Sequence, residues 1–147
     1  MTLMDAKPPD LARERRRRIT LTIIIAVVLI AAALAWQFRY WPEEHVADKF
    51  FGALQRENYE AAYGIYFADP NWKQHPQKYA LYAFNDFYRD WGPSGEWGII
   101  KNYKIEVAGT CPGGSKGVVV QLIVNGRSDR ARVWVQKSDK TLSYPPC

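Results

Sequence analysis

The chain has 147 residues, 20 Lys+Arg against 15 Asp+Glu, and a net charge of +5. That length holds one ordinary domain with an appendage, and the 48% apolar content excludes a wholly disordered chain. Two Cys exclude a disulfide-dense mini-scaffold and a four-Cys zinc site, two distant His argue against a His-rich metal site, and no cofactor is expected.

The first element is an apolar run. No charge falls between Arg18 and Arg39, and Ile19 to Phe38 is a 20-residue stretch, ITLTIIIAVVLIAAALAWQF. As a helix rising about 1.5 Å per residue it reaches roughly 30 Å, the hydrocarbon thickness of a bilayer. Inside lipid every backbone polar group must be paired within the segment, so a lone span has to be helical. Trp36, Phe38, Tyr40 and Trp41 cluster at its end, where amphipathic rings prefer the headgroup level. Lys and Arg set the orientation. Lys7, Arg13, Arg15, Arg16, Arg17 and Arg18 precede the run, and only Arg39 and Lys49 follow it closely. The positive-inside rule therefore predicts a cytoplasmic basic arm over 1–18, a transmembrane helix over 19–38, an interfacial aromatic linker over 39–42 and an exported domain over 43–147.

Arg15, Arg16, Arg17 and Arg18 read as a topology signal lying on anionic lipid in preference to a nucleic-acid arm. A cleaved signal peptide is the rival reading, since Ala31, Ala33 and Ala35 offer small-residue sites. The run is longer than the ~7–15 residues of a signal peptide and Trp36 directly follows the last site, which favours an uncleaved anchor. Ala31 and Ala35 also form a small-xxx-small pair that would let two spans approach, so an oligomer stays open. Residues 1–18 carry +3 and the remainder only +2, so the exported part has no concentrated basic face for nucleic acid.

Three helices are predicted next. Pro42, Glu43 and Glu44 suit a helix start, and Val46, Phe50 and Leu54 recur at helical spacing, which gives a helix over 43–56. Tyr59, Ala62, Tyr63 and Tyr66 give a second over 59–67. Asp69 to Pro76 reads as a loop by its turn chemistry. Ala80, Ala83, Phe84, Phe87 and Trp91 share one face of a third helix over 77–91, ended by Gly92-Pro93-Ser94-Gly95.

After residue 96 the period changes to two. Tyr103, Ile105 and Val107, then Val118, Val120, Leu122 and Val124, then Ala131, Val133 and Val135 each form an inward face, and a short fourth strand is expected near 142–144. Helices followed by strands predict an α+β domain with the helices on one sheet face. The domain's aromatic rings read first as core filling and second as the lining of a cavity. Cys111 and Cys147 both fall in the exported part, where an even count favours a disulfide. A simple meander opposes it, because strand one ends at one end of the sheet and strand four runs toward the other. Free thiols or an intermolecular bridge stay open.

The segment from Val46 to Tyr63, with Phe50-Phe51-Gly52-Ala53-Leu54, a polar break, and Tyr59-Glu60-Ala61-Ala62-Tyr63, resembles the opening helix pair of the nuclear transport factor 2-like superfamily. The resemblance covers roughly residues 43–144 and implies three helices on a curled, cone-like antiparallel sheet. The usual closing strand carries a Trp-Lys-Ile-like pattern, where this chain has Leu142-Ser143-Tyr144. The superfamily hosts both enzymes and non-catalytic modules. Its layout behind a short arm and one span is similar to periplasmic-domain components of type IV secretion machines and to membrane proteins associated with mammalian-cell-entry transport. That likeness implies an inner-membrane protein with a periplasmic domain.

The inward strand faces hold no acid or imidazole, so the sequence leans against catalysis. His45 and His75 have no partner at ligand or triad spacing. The alternative, a pocket enzyme of the isomerase or dehydratase type, would use Asp90 with Tyr63 or Tyr103 as acid and base. The favoured reading is an interaction module that holds a protein partner or a small apolar ligand. Its expected contact patch is Val119, Ile123 and Trp134 on the outer sheet face, with cover by a terminal segment or loop as the equal alternative.

Overall fold

The computed structural model describes residues 8–147 except Ser115. Lys7 of the basic arm lies outside the described residues. The chain divides into two units at Arg39/Tyr40.

The first unit is one helix, α1, Leu11–Gln37. Asp10 caps it by accepting from the Arg13 N–H at 3.2 Å, and Arg18 reaches back one turn to Glu14 at 2.7 Å. The arginines and the apolar run therefore share a single helix, and the boundary at residue 18 is chemical, not conformational. None of its residues is buried. It is long and apolar enough to cross a membrane.

The second unit is α+β. Its helices are α2 (Trp41–Gln55), α3 (Tyr59–Tyr66) and α4 (Phe84–Trp91), with short 3-10 segments at Trp72–Gln74 and Pro76–Tyr82. Pro42 occupies the first turn of α2, where its missing N–H costs nothing, and Glu43 and Glu44 complement the helix dipole. Glu57 breaks the pair with φ +54°, and Asn58 caps α3 by accepting from the Ala61 N–H at 3.1 Å.

The expected third helix over 77–91 is two pieces. Ala83 has extended backbone (ψ 162°) between the 3-10 segment and α4. The interruption frees the Tyr82 carbonyl to accept the Tyr63 hydroxyl at 2.7 Å, and it carries the Tyr82 ring onto Tyr66 at 5.5 Å. A continuous helix would have spent that carbonyl on its own ladder.

Strands β1 (Tyr103–Gly109), β2 (Gly117–Val124), β3 (Arg130–Gln136) and β4 (Leu142–Ser143) form one antiparallel sheet in chain order. The meander is open and uncurled, with β1 and β4 as separate edges, where the resemblance implied a curl. Val118, Val120, Leu122, Val124, Ala131, Val133 and Val135 all face the helices and are buried. They meet Phe50, Phe51, Tyr63, Phe87 and Trp91, so the rings fill the helix–sheet gap as core.

Val107 departs from its expected inward place. The register pairs Ile105 with Leu122 but Val107 with Gln121, so Glu106 is an extra residue, a bulge. The bulge flips the phase of the strand: Ala108 packs on the core and Val107 is 53% exposed. The outer face is polar at this point. Arg130 grips Glu106 with two bonds of 2.8 and 3.1 Å, and Gln121 adds one of 2.8 Å.

Cys111 and Cys147 are joined, with Cα atoms 5.8 Å apart. They follow opposite edge strands, which stand three strand spacings, about 14 Å, apart. The two segments therefore meet over a sheet face. Arg132, an outward residue, donates to the Cys147 carbonyl at 2.7 Å, which puts the bridge on the outer side. The bridge forms although β1 and β4 run toward opposite ends of the sheet, because the tail after β4 reaches back to Cys111.

Candidate functional site

The most developed concavity lies on the helical side, between α2 and α3. Val46 and Lys49 sit one turn apart on the outward flank of α2. Glu60, Ala61, Gly64 and Ile65 face them from α3, Ala68 and Pro70 close one end, and Lys140 enters from the β3–β4 turn. The groove encloses about 440 Å³, within the size range of small-ligand sites. Its floor is aliphatic and its charges stand on the rim.

Two local devices shape it. Gly64 is the first: a Cβ there would stand 3.1 Å from the Asp69 carbonyl and 3.4 Å from the Trp72 ring, so a side chain would push the end wall outward. The second is a knot at Asp69. Ala68 turns with φ +52°, and the Asp69 N–H then donates to the Gly64 carbonyl at 2.8 Å. The Asp69 carboxylate accepts from the Tyr79 hydroxyl, meets the His75 Nε2, and takes the Asn71 N–H at 3.0 Å. Those bonds, Tyr79's foremost, hold Asp69 at a pKa of about 2, and burial followed by the Asp69 bond pushes Tyr79 up to about 12. His75 thus has a partner six residues away, which spacing alone did not disclose.

The rim charges are mostly matched. Glu60 pairs with Lys73, and Lys140 Nζ donates to the buried Glu43 carboxylate at 2.6 Å and to the Lys137 carbonyl at 3.0 Å. Glu43 is 4% exposed, so α2's first turn is pinned to the β3–β4 turn through one ion pair. Lys49 is exposed and has no ion-pair partner among the described residues.

The residues of the enzyme alternative do not converge. The Tyr63 hydroxyl is spent on the Tyr82 carbonyl. The Tyr103 hydroxyl donates to Asp48, with 2.8 Å to its carboxylate, and burial and that bond push it up to about 12. Asp90 instead accepts from Tyr82 at 3.0 Å and lines a cleft of about 210 Å³ with Trp91, Trp97, Arg132 and Tyr144. Burial, then the Asp90 bond, drives the Tyr82 phenol far above its ordinary pKa. Among the described residues no three His, Cys, Asp or Glu side chains stand together as a metal cluster would require.

On the outer face, for which an open patch and a covered one were equal expectations, Trp134 is 9% exposed and Val119 and Ile123 are half-buried. At the other end of the chain Arg15, Arg16, Arg17 and Arg18 are exposed on α1, and Trp36 is exposed with Arg39 stacked over its ring at 4.1 Å. Tyr40 and Trp41 belong to the second unit, contrary to the expected linker over 39–42: Tyr40 packs on the core, and Trp41 opens α2 and stacks on His45 at 5.1 Å. Comparison with family models, curated proteins and solved structures finds no match for the chain.

Proposed function

We propose that this chain is a single-pass membrane-anchored interaction or ligand-binding module, with N-terminal arginines in the cytoplasm and the α+β domain in the periplasm of an inner membrane. The domain is a non-catalytic member of the nuclear transport factor 2-like superfamily and an accessory of an envelope complex. The α2–α3 groove carries the binding reading, because an aliphatic floor with charges confined to the rim is the composition of a recognition site. The uncharged 20-residue run and the six-to-two bias of basic residues support the anchor and its direction. The commitment of Tyr63 and Tyr103 to structural hydrogen bonds supports a non-catalytic role.

The test has two arms. Alkaline carbonate washing leaves the chain in the vesicle pellet, and protease added outside spheroplasts digests the C-terminal domain; release of the intact chain, or full protection, refutes the anchored topology. A photo-crosslinking amino acid at Ile65 in native membranes gives a light-dependent adduct, and one at Lys104 on the sheet gives none. Equal adducts at both positions refute the groove as the binding face.

A further inference from the structure

The occupant of the groove can be narrowed by its charges, given the reading of the groove as a binding site. We infer that it holds the anion of a single-chain amphiphile, a long-chain carboxylate, with the chain along the α2–α3 floor and the head at Lys49. The floor of Val46, Ala61, Gly64, Ile65, Ala68 and Pro70 offers no side-chain hydrogen-bond donor or acceptor, which suits hydrocarbon. The volume of about 440 Å³ sits at the low end of ligand cavities, room for one chain.

The rim then selects the head. Glu60 is matched by Lys73, and Glu43 by Lys140. Two of the three donors on Lys140 Nζ are already engaged, by Glu43 and by the Lys137 carbonyl. Lys49 has neither an ion pair nor a hydrogen bond among the described residues and stands beside Val46 on the same helix flank. One unmatched cation at the edge of an apolar trough complements one negative charge on an apolar tail. A cationic head would meet Lys49 uncompensated, and a doubly charged head would leave one charge unmatched.

The test uses the full chain in phosphatidylcholine nanodiscs and two photoreactive probes of equal length, a diazirine-bearing dodecanoic acid and the corresponding alcohol. After irradiation the labelled peptides are mapped by mass spectrometry. The carboxylate labels peptides spanning residues 46–49 and 60–70 up to about fivefold more than the alcohol, the scale of one exposed charge pair. Lys49→Glu brings the acid down to the alcohol's level, and Lys49→Arg keeps the preference. Ala61→Trp, a change at an exposed position that fills the trough, removes labelling by both while leaving the thermal midpoint in place. Equal labelling by acid and alcohol at the groove overturns the assignment of the head and leaves the binding groove standing. Labelling spread along the chain with no preference for these peptides overturns both.

Discussion

Trp134 lies directly over Gly117. A Cβ at residue 117 would stand 2.4 Å from the indole Cε2 and 2.7 Å from the Val135 carbonyl oxygen. The first atom belongs to a bulky buried ring and the second to strand backbone, so neither can give way cheaply. Gly117→Ala is therefore expected to lower stability by about 1–3 kcal/mol and to expose the indole. Urea unfolding followed by tryptophan fluorescence measures both, and an unchanged midpoint with unchanged emission would show that the ring has room to slide.

The Cys111–Cys147 bridge closes a loop of sequence separation 36. Restricting the unfolded chain over that distance stabilises the fold by about 4 kcal/mol in the chain-entropy account. Reduction, or Cys111→Ser, is expected to lower the denaturation midpoint by that amount. Because the bridge crosses the outer face, its loss should also increase iodide quenching of Trp134, read as the part of the quenching that Trp134→Phe removes. A reduced protein as stable as the oxidised one, with Trp134 still protected, would mean that the strap is held by packing alone.

The sequence disclosed what periodicity encodes. The helix pair of α2 and α3 and the inward faces of β2 and β3 follow from apolar spacing, because each element buries one face against one core. Hydropathy could not locate the interruption at Ala83, which goes with a tertiary bond from Tyr63 to the Tyr82 carbonyl. Nor could it locate the bulge at Glu106, since Val107 and Ala108 are both apolar and either could have faced inward. The groove was equally hidden. Val46 packs on the core and also shares a flank with Lys49, and Lys140 arrives from 91 positions further on. The alternation puts Trp134 on the outer face, but its 9% exposure depends on tertiary cover that alternation does not encode.

The pair of Glu43 and Lys140 is expected to be asymmetric under mutation. Glu43 is 5% exposed in its side chain and Lys140 is 37% exposed. Removing the cation as Lys140→Met strands a carboxylate inside the fold and is predicted to cost about 3 kcal/mol, the low end for a broken buried pair because the ammonium is partly solvated. Adding Glu43→Gln to that variant should restore part of the loss, because no charge then remains buried. A double-mutant cycle by urea unfolding measures the coupling, and additive losses would show that the two groups act independently.

The knot at Asp69 gives a pH dependence with a definite sign. Hydrogen bonds from Tyr79 and then His75 hold the carboxyl at about 2 in the folded chain. An unfolded Asp titrates near 3.9, so the folded value is the lower one. The contribution of the ionised group is therefore complete above about pH 4 and is lost as the pH falls through the folded value. Asp69→Asn keeps the size of the side chain and removes the charge. Its thermal midpoint should lie below the parent's at roughly pH 5, and the two should converge as the pH is lowered toward about 2. The same variant should loosen the end wall of the groove, because Ala68 and Pro70 flank the residue that is released. Midpoints that run parallel across the whole acid range would show that the carboxylate is not the group that ties this turn.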